Sequence, residues 1–275
     1  GDADAEPVLL VMGLGCQLLD WPLEFVELIV ARGFRVIRFD NRDIGLSTKI
    51  DAPLPKVRQL VAGTLSARLA KSAYTLSDMA DDAASLLDHL GIPAAHIVGV
   101  SMGGMIVQTM AIEHPARVLS LTSIMSNTGD RKSGKISLAL MPKLVPLLGR
   151  NPAKAIHNGV ASVRLTSGPH FDEVTTRSNV IAALQRDNGE GTGRQTMAIA
   201  ASPDRTTGLG TVKVPTLVIH GLVDPLVLPS GGMATAKAVP GARLVMYADM
   251  GHDLPRPRWE EIVDEIVRNT GRAVA

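Results

Sequence analysis

The sequence predicts an α/β fold: a mostly parallel sheet flanked by helices, with a helical cap inserted after the fourth strand. Three observations carry that expectation. Short apolar runs alternate with amphipathic stretches through the first half of the chain. Convincing strand runs vanish between Asp130 and Gly208. They return at Thr216-Leu-Val-Ile-His220 and Arg243-Leu-Val-Met-Tyr247.

Each element has a local reason. Val8-Leu-Leu-Val-Met12 is a continuous apolar run that stops at Gly13, as a strand buried on both faces does. Trp21 to Ala31 repeats apolar residues every three or four positions, and Gly33 ends it as a helix. Arg35-Val-Ile-Arg-Phe39 is the next strand, followed by a polar turn through Asp40-Asn-Arg-Asp43 and Gly45. Thr75 to Leu90 is an amphipathic helix, opened by the capping pair Thr75 and Asp78 and stopped by Gly91. His96-Ile-Val-Gly-Val100 is a strand, Met102 to His114 a helix ended by Pro115, and Val118 to Ser123 a fourth strand. In the insertion, Leu138 to Leu148 and Val180 to Arg186 read as helices. Trp259 to Asn269 is the last helix. The division is therefore 1–129 and 209–275 as core and 130–208 as cap.

Composition narrows the function. The 275 residues suffice for one large domain or a core with a small lid. Aromatics make up 3% of the chain, so Leu, Val, Ile, Ala and the 11 Met residues must fill the core. The net charge is +1 without a long basic run, which argues against nucleic acid as a partner. Residues 130–208 carry 11 Lys/Arg against 6 Asp/Glu, a solvated surface first and a mild attraction for anions second. No apolar run reaches the ~18 residues a membrane span needs. Cys16 is the single cysteine, so no intrachain disulfide forms and no cysteine-based metal site is expected. That suits a reducing compartment, and a cytoplasmic location is the expectation.

Chemistry concentrates at three places. Gly99-Val-Ser-Met-Gly103 matches G-x-S-x-G between a strand and a helix, the context that motif requires. The match alone is weak, and the strand–turn–helix setting strengthens it. A sharp turn there lifts the Ser101 hydroxyl clear of the sheet and starts a helix behind it, where backbone N–H groups meet a developing oxyanion. A hydroxyl near neutral pH needs a base to take its proton, and the base needs a carboxylate to hold its tautomer. His252 follows the strand that ends at Tyr247, and Asp224 follows the strand that ends at His220. Both therefore leave neighbouring strands at their carboxyl ends, where sites of parallel sheets form. His157 and His170 fall in the insertion, His114 belongs to the helix after Ser101, and His220 at a strand end suits a structural role. Asp253 is a rival carboxylate, but it adjoins His252 in sequence, a poor position for orienting that imidazole. The turn Met12-Gly-Leu-Gly15 is the expected source of a second oxyanion donor: Leu14, or alternatively Gly13, paired with Met102. Cys16 beside it reads as an inert thiol.

Four segments together resemble the α/β-hydrolase superfamily over nearly the whole chain: Val11-Met-Gly-Leu-Gly15 with Trp21-Pro22, Phe39-Asp-Asn-Arg-Asp-Ile-Gly-Leu-Ser47, the Ser101 turn, and the Asp224 and His252 loops. Within it, the Met-Gly turn, the Trp-Pro and the Asp-x-Arg-Asp-x-Gly-x-Ser segment look like bacterial carboxylesterases of the aclacinomycin methylesterase-like group. The resemblance implies Ser101 as nucleophile, Asp224 as acid, His252 as base, and Leu14 and Met102 as oxyanion donors. It implies that Asp40, Arg42 and Asp43 brace the loop behind the site. The chain departs from the pattern twice. Met12 stands where many members carry His. Only about seven residues precede the first strand, so the antiparallel hairpin usual there is either missing or lost.

The expected activity is cofactor-independent hydrolysis of small to medium carboxylic esters with an apolar body, which Leu138, Leu140, Met141 and Leu144 of the insertion would accommodate. The expected partner is a small-molecule ester, without metal, and the expected state a monomer or homodimer. The same residues serve C–C bonds, thioesters, lactones or perhydrolysis. A ligand-binding receptor on this scaffold is a further alternative. Relatives that use an aspartate nucleophile are excluded by serine at 101.

Overall fold

The computed structural model describes residues 1–56, 58–59, 70–148, 152–187 and 189–271. Six strands form one sheet: β1 (Pro7–Val11), β2 (Arg35–Arg38), β3 (Ala95–Val100), β4 (Val118–Ile124), β5 (Thr216–Gly221) and β6 (Arg243–Tyr247). Their order is β2-β1-β3-β4-β5-β6, and every pairing is parallel. The chain winds outward from β1 to one edge, crosses to β3 and then proceeds to the other edge. That reversal leaves a crevice above the carboxyl ends of β1 and β3.

Helices of two turns or more are α1 (Leu23–Ala31), α2 (Leu76–His89), α3 (Met102–Glu113), α4 (Ala155–Thr166), α5 (Glu173–Arg186), α6 (Thr192–Ala201), α7 (Ser230–Ala238) and α8 (Trp259–Gly271). Side chains alternate across a strand, so the sheet supplies two cores. Leu9, Val11, Ile97 and Leu121 face Met79 and Leu87 of α2 and Ile106 and Met110 of α3. Val8, Leu10, Val98, Leu217 and Ile219 face Phe25 and Ile29 of α1 and Ile262 and Ile266 of α8. Helices on both faces explain why the strands read as unbroken apolar runs.

The expected strands lie within a residue or so of their places. Thr75 caps α2 as its spacing indicates, accepting from the Asp78 N–H while the Asp78 carboxylate accepts from the Thr75 N–H. The insertion between β4 and β5 differs more. The expected helix Leu138–Leu148 is one α turn, Met141–Leu144, followed by a 3-10 turn, Val145–Leu148. Pro146 has no N–H to donate back along an α helix, so the α turn ends ahead of it. The expected helix Val180–Arg186 begins earlier, at Glu173, with Asp172 accepting from the Val174 and Thr175 N–H groups as its cap. Helices α4, α6 and α7 have no counterpart in the sequence reading. Among the described residues, no helix is long and apolar enough to cross a membrane.

Candidate active site

Strand β3 turns directly into α3 at Ser101, which holds φ 56° and ψ −118°. Few non-glycine residues occupy that region, and it marks a sharp, strained turn. The glycines on either side are required by close approach. A Cβ on Gly99 would collide with the Gly103 carbonyl, and one on Gly103 with the Val11 carbonyl. The turn is pinned by the Ser101 N–H to the Ile124 carbonyl at 2.9 Å and by the Ser126 hydroxyl to the Ser101 carbonyl at 2.8 Å.

Two loops converge on it. Ser101 Oγ lies 2.9 Å from His252 Nε2, and His252 Nδ1 lies 2.7 Å from Asp224 Oδ2. A neutral imidazole fits this chain in one tautomer: Nδ1–H donates to Asp224, and Nε2 accepts from the serine hydroxyl. Asp224 sits in a tight turn after β5, where its Oδ1 accepts from the Leu226 and Val227 N–H groups at 2.8 and 2.9 Å. Burial alone would raise its pKa, but neighbouring His220 and His252 and the Val227 N–H outweigh that and hold it down at about 2. The carboxylate thus stays charged at neutral pH.

His220, fully buried, is structural, as its strand-end position suggests. Its Nε2 lies 2.8 Å from the Val227 carbonyl and 3.5 Å from Asp224 Oδ2, bracing the same turn. The rival Asp253 is engaged by backbone N–H groups instead. Its Oδ1 accepts from the Gly251 N–H at 2.9 Å and the Gly168 N–H at 3.3 Å. His157 is exposed on α4. His170 pairs with Asp249 at 2.8 Å, and Asp249 is drawn down to about 2 by Arg258 and by that histidine.

The turn from Met12 to Gly15 lies against Ser101: a Cβ on Gly13 would stand 3.2 Å from the serine Cβ. Met102 opens α3 directly behind the hydroxyl. Cys16 is half-buried, and loss of solvent around it pushes its thiol well above the ordinary range, as suits an inert thiol.

The segment from Asp40 to Asp43 braces these loops. Asp40 accepts from the Leu18 N–H at 2.7 Å, the Leu46 N–H at 3.0 Å and Arg186 at 2.5 Å. Asp43 takes Arg194 in a two-pronged pair at 2.7 and 2.8 Å. Burial would raise the Asp43 pKa, but Arg194 and the Ile50 N–H hold it below the usual range. Arg42 grips Asp82 at 2.6 Å and lies over the Tyr74 ring.

Three contacts at the site went unread in the sequence. Asn41 Nδ2 donates to the Met12 carbonyl at 2.9 Å, Gln195 Oε1 accepts from the Gly15 N–H at 2.9 Å, and the His252 N–H donates to the Thr166 carbonyl at 2.8 Å. Asn41 carried a weak signal, because it lies inside the Asp-Asn-Arg-Asp run. Gln195 and Thr166 carried none, since their partners are far away in the chain.

Among the described residues, the only three donors close enough to share a metal are Asp81, Glu113 and His114. Glu113 and His114 lie at the far end of α3, about 18 Å along its axis from Ser101, and Asp81 faces them from α2. His114 is already paired with Asp81 at 2.7 Å, and Glu113 accepts from Ser77 at 2.5 Å.

Known proteins agree with this architecture. Rhodomycin D methylesterase of Streptomyces peucetius is 29% identical over 99% of this chain and 93% of its own. A putative carbamate hydrolase of Variovorax paradoxus is 28% identical over 82% of this chain and 77% of its own. The enol-lactonase of Burkholderia xenovorans LB400 superposes with a TM-score of 0.72 at 24% identity, covering 98% of this chain and 92% of that one. The α/β hydrolase fold family matches residues 6–255, and the chain belongs to it.

Proposed function

We propose that this chain is a cofactor-independent serine esterase that cleaves carboxylic esters through an acyl-enzyme at Ser101. The observation that carries this reading is the continuous hydrogen-bonded relay from Ser101 Oγ through His252 to Asp224, at 2.9 and 2.7 Å. His252 takes the serine proton as Oγ attacks the ester carbonyl. The new oxyanion is held by the Leu14 and Met102 N–H groups. His252 then returns the proton to the departing alcohol. Water, activated by the same imidazole, releases the acid.

Residues 130–208 act as the cap over this centre and supply the substrate's surroundings. Of the residues expected to accommodate an apolar acyl or alcohol group, Leu140 is buried and Leu138 and Met141 are exposed. The methylesterase relatives make methyl esters the first substrates to try. Other relatives are named as an enol-lactonase and as a hydrolase of 2-hydroxy-6-oxo dioates, so lactones and oxo-dioates belong in the same panel.

The test is pre-steady-state hydrolysis of a chromogenic ester. A burst of alcohol equal to the enzyme concentration is expected, followed by slower turnover. Ser101→Ala abolishes both burst and turnover. Wild-type rates in Ser101→Ala on every ester tried would overturn the assignment.

A further inference from the structure

The turn that faces Ser101 is held at both ends by side chains, and one of them comes from the insertion. At its start, Asn41 Nδ2 donates to the Met12 carbonyl at 2.9 Å. At its end, Gln195 Oε1 accepts from the Gly15 N–H at 2.9 Å. The Gln195 Nε2 donates to the Arg42 carbonyl at 3.0 Å. Leu14, between the two fixed ends, carries the N–H assigned above to the oxyanion. Gln195 is completely buried on α6. Its neighbour Arg194 locks the same helix to Asp43.

We infer that Gln195 is a positioning residue for the oxyanion turn, so that the insertion sets the geometry of transition-state stabilisation as well as covering the site. The inference rests on the esterase reading. The side chain suits the task because a primary amide offers an acceptor and a donor on one planar group. The Gly15 N–H requires the oxygen and the Arg42 carbonyl requires the nitrogen, which fixes its orientation. The amide itself is wholly buried and both bonds are partly buried, so removing it leaves its two partners without that donor and acceptor. The Gly15 end of the turn then relaxes. A donor displaced by a fraction of an ångström is matched less well to an oxyanion than to a ground-state carbonyl.

Gln195→Met keeps the length and removes both bonds. Its kcat on a chromogenic ester is expected to fall by about tenfold or more while KM stays within about twofold. The affinity for a trifluoromethyl ketone falls by the same factor, because that inhibitor places a tetrahedral oxyanion on the serine. Labelling of Ser101 by a fluorophosphonate in the wild-type protein reports on the underlying reading. An unlabelled, inactive wild type refutes the esterase assignment itself.

Gln195→Glu supplies a second measurement. A buried neutral carboxyl offers the same acceptor and donor as the amide, whereas the carboxylate offers no donor. The ratio of variant to wild-type kcat is therefore expected to rise as pH is lowered from about 9 to about 6. A folded Gln195→Met with wild-type kcat and unchanged ketone affinity overturns the inference. So does a fall in kcat without a fall in ketone affinity. If Gln195→Met does not fold, a pH-independent ratio near unity for Gln195→Glu overturns it.

Discussion

The sheet with its flanking helices and the inserted segment are held by different forces. In the first, large apolar side chains such as Leu9, Ile97, Ile106, Phe25 and Ile262 are wholly removed from water in two layers. In the second, the buried apolar side chains among the described residues are few: Leu140, Val160, Met197 and Ala198. Helix α5 buries no residue at all. It is fastened by Gln17 to the Ala183 carbonyl, by Arg186 to Asp40 and Gln17, and by Asp187 to the Gly45 N–H. Helix α6 is fastened by Arg194 to Asp43 and by Gln195 to Gly15 and Arg42. Hydrophobic burial is tolerant of detail, whereas buried polar pairs demand particular partners. The insertion's seat on the core thus depends on a handful of named contacts.

The largest effect should come from breaking the most buried of those contacts. Asp43→Ala leaves the Arg194 guanidinium, 9% exposed, without its partner. A loss of about 4 kcal/mol is expected, measured by urea unfolding, because an unpaired buried charge costs more than the pair contributed. The double variant Asp43→Ala with Arg194→Met should recover much of it. In the core the corresponding change is Ile106→Ala, which opens a void between α3 and the sheet at about 3 kcal/mol. No second substitution at a single partner should restore that loss, since the void has many walls. A rescue of Ile106→Ala by one neighbour, or none for the charge pair, would erase the distinction.

This contrast also explains what the sequence discloses. Val8 to Met12 and His96 to Val100 announce strands because burial on both faces writes an apolar run into the chain. The Thr75–Asp78 cap is local, and so is the G-x-S-x-G turn. Asp224 and His252 are legible because each stands just past an apolar strand in the expected order. Helix α5 shows only its last half, because its docking is polar and leaves no apolar stripe to read. Helix α7 does not show in the sequence because Gly231 and Gly232 lower its helix propensity. They are there to let α7 approach Ser126, Asn127 and His220. Gln195 meets Gly15 across 180 positions, and no local pattern encodes such a meeting.

A smaller effect separates two carboxylates that both lie near pKa 2, Asp224 in the core loop and Asp249 at the junction with the insertion. Asp224 is buried, and its folded value is below that of an unfolded aspartate. Its ionised form therefore favours the fold. The contribution is complete above about pH 4 and is lost as the pH falls through about 2. It amounts to about 2 kcal/mol, seen as a drop in the urea midpoint between those pH values. Asp224→Asn should lack that part of the drop. It should also lose about 10⁴-fold in kcat, because the imidazole is left without its orienting carboxylate.

The smallest effect is expected where the insertion's charges face water. Glu173, at the start of α5, pairs with Arg164 of α4 and with Arg177 one turn along, and all three side chains are about half exposed. It resembles the Arg194–Asp43 contact on a list of ion pairs, but its surroundings differ. Water already solvates each partner, and salt screens their attraction. Ordering three long side chains offsets what attraction remains. Glu173→Gln should therefore leave the melting midpoint unchanged at physiological salt and lower it only slightly at low salt. Esterase turnover should not change under either condition. A loss approaching that of Asp43→Ala would mean that charge number, rather than burial, seats the insertion.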